Sequence, residues 1–537
     1  MGPGQSGPSR ETMKLLHNAR IHSLDPLKPD ASAIAIENGR IILVGGEELL
    51  AKFENMEVED MGGRIILPGM IDAHIHLQLY ALSLGKVDCD AESKDEILNR
   101  VSERARQTPP GEWVLGHGWN QNNWGGSWPC AADLDAVSPQ NPVYLTAKSL
   151  HASWANTAAL KLAGISKSSP DSLDGRIQVD NRGAPTGIFF EKAGDRIEVV
   201  IPEIGATELA DSFRQVIAGM WRMGLTGVHD FDGRICFQAL QMLHERGELQ
   251  FRVVKSIPLD LLPQAADLGL RTGFGDDFLR IGSVKLFADG ALGPRTGAML
   301  EAYVDEPQNR GILIMDSEQL FQHGCLAVES GLSLAVHAIG DRAVHEVLEG
   351  MARLRAYERE KGLPALRHRI EHLQTIHPAD AGRLANLGLI ASMQPTHAPS
   401  DMLVAGRALG ERAAFSYAWR TQLQNGVQLA FGSDAPVESP NPFLGLHAAV
   451  TRRRVDGSPG REGWFPDQRL TVDEALKAFT SGAAFAAQWE NCLGRLSAGF
   501  LADLIVLEKD PLTCDPAELS FIQPVATMVG GEWVWQI

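Results

Sequence analysis

No uninterrupted apolar stretch in this chain approaches the roughly 18 residues that a membrane span needs, so no membrane-crossing helix and no membrane partner are expected. Nor is there a clustered basic stripe. Lys and Arg number 49 against 67 Asp and Glu, a formal net charge of -18, which sets nucleic acid aside as a partner. Cysteine is scarce: Cys89, Cys130, Cys236, Cys325, Cys492 and Cys514 are scattered, with no Cys-x-x-Cys pair. That pattern argues against a disulfide framework or a zinc knuckle and for the reduced thiols of a cytoplasmic protein. No Gly-x-Gly-x-x-Gly lies between a strand and a helix, so no nucleotide cofactor is suggested. Met1 to Arg10 are rich in Gly, Pro and Ser and lack the apolar core of a signal peptide; residues 1–12 are expected to form a disordered tail.

What is present is a chain of 537 residues, 44% hydrophobic and 22% charged, long enough for a large core and more than one domain. A sizeable enzyme is the expectation. The stretch that organises it is Leu67-Pro68-Gly69-Met70-Ile71-Asp72-Ala73-His74-Ile75-His76, a Pro-Gly turn running into an apolar strand that ends in two histidines. Side chains on a strand alternate faces, so His74 and His76 point the same way and together can grip a metal ion. Alone the pair says little: with 16 His in the chain, a chance His-x-His arises with a probability of about one half.

From Met13 to Leu67 the pattern is short strands and turns, including Ala33 to Ile36, an Asn38-Gly39 hairpin turn and Arg40 to Val44. Matching strands occur at the far end, Ala502 to Leu507 and Ala526 to Val529. Residues 13–67 and 493–537 are therefore expected to pair into one small β-sandwich domain. Between them, over 68–492, apolar strands alternate with amphipathic helical stretches, which argues for parallel strands with helical crossovers. Strands are read at Ile71–His76, Gly227–Asp230, Arg252–Lys255, Val284–Phe287, Leu334–His337, Arg369–His372, Ile390–Met393 and Leu429–Gly432. These eight predict an α/β fold, a (β/α)8 TIM barrel. One interval, 77–205, is too long for a strand-to-helix connection and carries its own strands, around Val114 and Val143, with Trp113, Trp119, Trp124 and Trp128. Growing from the end of the first strand, this insertion is expected over the barrel mouth, where its tryptophans either pack or receive an apolar substrate group.

Four further metal-capable side chains fall at the C-terminal ends of predicted strands, the face where barrel enzymes keep their sites: Lys285, His337, His372 and Asp434. Each has an ordinary reading. The histidines are readable as hydrogen-bonded core residues, Asp434 as a cap, and Lys285 as an ion pair with Asp289. Six such placements on strands one, four, five, six and eight are hard to assign jointly to chance.

In these segments the sequence closely resembles the amidohydrolase superfamily. The carriers are Pro68 to His76, Lys285-Leu286-Phe287-Ala288-Asp289-Gly290, Val336-His337-Ala338-Ile339-Gly340-Asp341, Arg369-Ile370-Glu371-His372 and Gly432-Ser433-Asp434-Ala435-Pro436, with Pro185-Thr186-Gly187 before Glu191 and Ala502 to Leu507. They are similar to the YtcJ-like branch, amidohydrolase family 3, which includes N-substituted formamide deformylases. The resemblance implies that His74, His76 and Asp434 hold one divalent metal, His337 and His372 a second, and that Lys285, N6-carboxylated, bridges them. An unmodified Lys285 implies one metal. Histidine with carboxylate oxygen suits zinc, and iron, manganese and cobalt fit as well.

The ligand set then implies a mechanism. Water on zinc is acidified to a pKa of about 7 and attacks a polarised carbonyl, Asp434 taking its proton and returning it to the leaving nitrogen. Three further residues are candidates for substrate contact. His151, Glu191 and His397 each also have a bland reading, as a structural histidine, a solvated carboxylate and a loop cap. The expected function is a metal-dependent hydrolase of a carbon-nitrogen bond other than a peptide bond, in an amide or N-formyl compound. Ester, lactone or cyclic-amide hydrolysis by the same centre is the alternative, and a non-catalytic scaffold a further one. The expected partners are a small-molecule substrate and, by default, a second copy in a homodimer.

Overall fold

A computed structural model describes residues 13–53, 57–125, 127–148, 152–169, 175–202 and 204–537, with the side chains of 122, 123 and 191 left aside. The expected tail over 1–12 and His151 lie outside the described residues.

Eight parallel strands form one sheet: β1 Met70–Ile75, β2 Leu225–Asp230, β3 Arg252–Pro258, β4 Leu279–Phe287, β5 Leu334–Ala338, β6 Arg369–His372, β7 Ile390–Met393 and β8 Gln428–Phe431. Sequential strands are neighbours throughout, β1 beside β2 and so on to β7 beside β8, as a (β/α)8 barrel requires. Their outer faces are covered by amphipathic helices. Ala206–Arg222 turns Leu209, Phe213, Val216, Ile217 and Met220 inward at helical spacing. Ser317–Glu329 starts at a capping box formed by Asp316 and Gln319, and Asp341–Lys361 stops where Gly362 takes a left-handed backbone, φ 65°.

The last seam, between β1 and β8, closes at the C-terminal end of the barrel. The Asp434 amide donates to the His74 carbonyl at 2.7 Å, and the His76 amide to the Ala435 carbonyl at 3.0 Å. Gly432 permits that approach: a Cβ there would lie 2.4 Å from the His74 nitrogen and 2.6 Å from an Asp72 carboxylate oxygen.

The two ends of the chain meet in a second β-rich region. Ile65–Pro68 pairs antiparallel with Leu504–Leu507, register Leu504 to Pro68 through Leu507 to Ile65, in a six-stranded sheet. A four-stranded sheet built from Met13–His17, Ala33–Glu37, Arg40–Gly45 and Glu57–Asp60 packs on it through Leu16, Ile34, Ile36, Ile66, Leu504 and Met528. The Asn38-Gly39 hairpin has positive φ at both residues, 51° and 77°, the requirement of a type I′ turn.

Gln78–Glu208 is a compact unit of its own, with a six-stranded sheet. Its tryptophans pack. Trp119 and Trp154 are buried in one core, Trp119 donating to the Leu145 carbonyl at 2.9 Å, and Trp124 stacks on Trp119 at 6.5 Å.

One buried ion pair ties β3 to the C-terminal segment. Arg252, at the start of β3, makes a two-pronged bond to Asp503 at 2.5 and 2.6 Å, and Asp503 also accepts from the Gly530 amide at 2.8 Å. Asp503→Ala, which leaves that guanidinium buried and unpaired, is expected to cost about 3–5 kcal/mol in urea unfolding. A cost under about 1 kcal/mol would mean that water reaches Arg252 and the pair is not sealed.

Candidate metal centre

The strand ends bring the six predicted ligands together. His74 is next to last in β1 with a fully buried side chain, and His76 follows the strand. His372 ends β6, His337 lies on β5, Lys285 on β4, and Asp434 follows β8. Ring centroids lie 5.8 Å apart for His74 and His76, 4.9 Å for His74 and His372, and 4.5 Å for His337 and His372. Asp434 Oδ1 stands 3.3 Å from His74 Nε2 and 3.6 Å from His76 Nε2. Ligand atoms of His74, His372 and Asp434 all lie within 4.8 Å of one another. The Lys285 ammonium nitrogen sits 4.6 Å from the centre of the Phe231 ring, itself 4.3 Å from the His74 ring, and 5.0 Å from the centre of the Phe287 ring.

The backbone works for this convergence. His372 and Asp434 both adopt left-handed φ, 70° and 61°, which non-glycine residues take at a cost of about 1 kcal/mol or more. Asp72 braces the seam, one carboxylate oxygen accepting from the amides of His74 and Ser433, both at 3.0 Å. Burial pushes its carboxyl up to about 7.

Each of the four histidines has one ring nitrogen against an acceptor. His74 Nδ1 lies 2.6 Å from Glu371 Oε2, and His76 Nδ1 is 3.0 Å from Asp232 Oδ1. His372 Nδ1 lies 2.8 Å from Gln394 Oε1, and His337 Nε2 is 2.9 Å from the Gly290 carbonyl. None of these oxygens donates, so each ring donates from that nitrogen and, when neutral, presents a lone pair on the other. Burial favours the neutral form, holding His372 well below the ordinary histidine range and taking His337 down to about 3.

His74 Nε2 is therefore an acceptor 3.3 Å from another acceptor, Asp434 Oδ1, and it is buried without a hydrogen-bond partner among the described residues. Two such atoms repel unless a cation lies between them. Ligands at about 2.0–2.2 Å around a tetrahedral ion stand roughly 3.3–3.6 Å apart, the separations found for Asp434 with His74 and His76. Burial alone would raise the Asp434 carboxyl; the imidazole rings of His74, His372 and His397 around it outweigh that and hold Asp434 well below the usual carboxylate range.

The ordinary reading of Lys285 is not what is seen. Asp289 accepts from the amides of Ala298, Ile339 and Gly340 at 2.8, 3.0 and 2.8 Å, clamping a loop, while Lys285 Nζ is buried without a hydrogen-bond partner among the described residues. Burial takes its amine down to about 8. His397 opens the helix His397–Leu409; its ring stacks on His372 at 6.2 Å and its Nε2 is 3.9 Å from Asp434 Oδ2. Glu191 ends the strand Pro185–Glu191, and its side chain, like His151, lies outside the described residues. A second acidic group, Asp230, Asp232 and Cys236, already holds a cation in Lys255, 2.9 Å from Asp230.

Sequence reading missed the residues behind the histidines: Glu371, Asp232 and Gln394. Glu371 stands inside a motif already singled out. Strand alternation sets it on the face opposite His372, and only the left-handed backbone at His372 brings the two side chains to one centre.

Comparison with known proteins agrees with this architecture. The model of the amidohydrolase family matches residues 57–535. The putative amidohydrolase YtcJ of Bacillus subtilis (strain 168) is 32% identical, covering 97% of this chain and 99% of its own. N-substituted formamide deformylase of Arthrobacter pascens is 28% identical over 96% of this chain and 97% of its own. Among solved structures, an uncharacterized metal-dependent hydrolase from Pyrococcus furiosus is 30% identical with a TM-score of 0.77, covering 93% of this chain and 100% of that one. With its barrel, its cluster of strand-end histidines and a family match over residues 57–535 that takes in both, this chain belongs to the amidohydrolase family.

Proposed function

We propose that the chain is a metal-dependent hydrolase of a carbon-nitrogen bond other than a peptide bond, acting on an amide or N-formyl compound. His74, His76 and Asp434 would hold one divalent ion and His337 and His372 a second, with Lys285 between them. The observation that carries this reading is the pair of facing acceptors, His74 Nε2 and Asp434 Oδ1 at 3.3 Å, in a buried site. A nitrogen-rich set with one carboxylate suits zinc. When bound, such an ion supplies Lewis-acid polarisation of a carbonyl and acidifies water to a pKa of about 7.

The chain's own groups do the rest. Asp434 Oδ1 faces His74 and His76, which leaves Oδ2 to accept a proton from the attacking water and return it to the departing nitrogen. His397 Nε2, buried, without a hydrogen-bond partner among the described residues and 3.9 Å from that oxygen, would donate to the substrate. Lys285, a buried amine without a hydrogen-bond partner among the described residues and lowered to about 8, is suited to add carbon dioxide: its nitrogen bonds to the carbon, a proton leaves, and an anionic carbamate results. The likeness to N-substituted formamide deformylase supports an N-formyl or amide substrate over other acyl compounds.

Asp434→Asn is expected to lower kcat by at least about 100-fold while metal content measured by elemental analysis stays close to that of the parent; parental turnover in the metal-replete variant would refute the proton role. Lys285→Ala is expected to lower bound metal from about two ions per chain to about one or fewer, and the parent to carry the added mass of one carbon dioxide under native mass spectrometry. Two ions retained without Lys285 would remove it from the ligand set. The substrate class is tested by screening zinc-loaded protein on N-formyl amines, N-acyl amino acids, cyclic imides and esters. Turnover confined to esters would overturn the carbon-nitrogen assignment.

A further inference from the structure

We propose that Glu371 and Arg369 are positioning residues of the metal centre: Glu371 fixes the tautomer and orientation of His74, and Arg369 fixes Glu371. This deepens the reading of the centre given above and rests on it.

Arg369 and Glu371 are two apart on β6, so both point from the same face into the barrel, and both are buried. Barrel interiors are ordinarily filled by branched apolar side chains. A buried ion pair costs more in desolvation than its attraction commonly returns, and apolar residues of the same volume would hold the fold as well. Stability alone therefore gives no reason for charge at this depth.

The contacts give one. The Arg369 guanidinium meets both oxygens of Glu371, Nη2 lying 3.1 Å from Oε2 and Nε bonded to Oε1. Its Nη2 also donates to the Ala73 carbonyl and to Ser392 Oγ, both at 2.6 Å, and its Nη1 donates to His229 Nδ1 at 2.8 Å. One planar fork thus joins β1, β2, β6 and β7, and on β1 it grips the residue before His74. The carboxylate so locked turns Oε2 to His74 Nδ1 at 2.6 Å, the shortest of the four outer contacts made by the histidines. An imidazole backed by a fixed carboxylate keeps its proton on that nitrogen, holds its ring angle and is a stronger donor through the other. His337 and His372 are backed by neutral oxygens instead. Two rings are backed by a carboxylate, His76 by Asp232 at 3.0 Å and His74 by Glu371 at 2.6 Å; of these His74 has the shorter outer contact, lies nearer Asp434, and has its carboxylate locked by Arg369.

The test uses full-length protein stripped of metal, with Zn2+ affinity read by competition against a chromophoric chelator and the ligand field read from the visible spectrum of the Co2+ form. Glu371→Gln keeps the shape and removes the charge. It is expected to bind Zn2+ about 10–100-fold more weakly and to shift the Co2+ bands, in addition to the lower thermal midpoint that loss of the Arg369 counter-charge brings to the metal-free protein. A lower midpoint with parental Zn2+ affinity and an unchanged Co2+ spectrum would mark a merely structural role and overturn the proposal. Should Glu371→Gln not fold, Ser392→Ala takes one acceptor from Arg369 and nothing from Glu371; about 3-fold weaker Zn2+ binding is expected, and parental affinity overturns the proposal. A parent that binds neither Zn2+ nor Co2+ would sink the reading of the centre itself. A parent that binds both, beside variants that bind equally well, would sink the positioning role alone.

Discussion

The seam between β1 and β8 is the constraint on which the site depends. The hydrogen bond from the Asp434 amide to the His74 carbonyl closes the barrel and in the same act sets the Asp434 carboxylate against the His74 and His76 rings. Asp72 reinforces the junction from β1 by holding the amides of His74 and Ser433, and Gly432 leaves the space in which the two backbones meet. Closure of the barrel and assembly of the site coincide, because the first and last strands carry three of the six candidate ligands.

The interior that results is charged and polar where a barrel is usually apolar, and desolvation must be offset group by group. Where the protein supplies the partner, the offset is visible: Arg369 for Glu371, Lys255 for Asp230, the backbone amides for Asp289. Where it does not, several of the orphaned atoms gather at the histidine cluster. His74 Nε2, His397 Nε2 and Lys285 Nζ are buried without a hydrogen-bond partner among the described residues, and the contacts of each lead back to Asp434 or to the histidine rings. Left-handed backbone at His372 and Asp434 adds conformational strain at the same place. Unmet polar demand and backbone strain coincide at this end of the barrel, as a binding centre for a cation would require.

The rest of the chain is conventional in its physics. The ends meet in a sheet whose apolar faces neither segment could bury alone, and a buried arginine-aspartate pair fastens that region to β3. The long segment after β1 forms its own core around Trp119 and Trp154, so these tryptophans act as packing.

By itself the sequence determined the barrel and which metal-capable side chains fall at its strand ends. Strand positions and helical crossovers are legible because period-two and period-3.6 apolar patterns are local, and strand-end histidines mark themselves by where they fall. The pairing of the chain ends is legible for the same reason, two short apolar strand sets each lacking a partner. Only the tertiary structure decided which atoms stand behind the candidate ligands. Glu371, Asp232 and Gln394 reach His74, His76 and His372 across strands distant in sequence, and the left-handed turn at His372 undoes the alternation from which its neighbour's direction would be read. It likewise separated Lys285 from Asp289, whose carboxylate goes to three backbone amides instead. Pattern along a chain fixes which face a side chain takes; which partner it finds on that face depends on strand order, register and the closing of the barrel, and these exist only once the chain has folded.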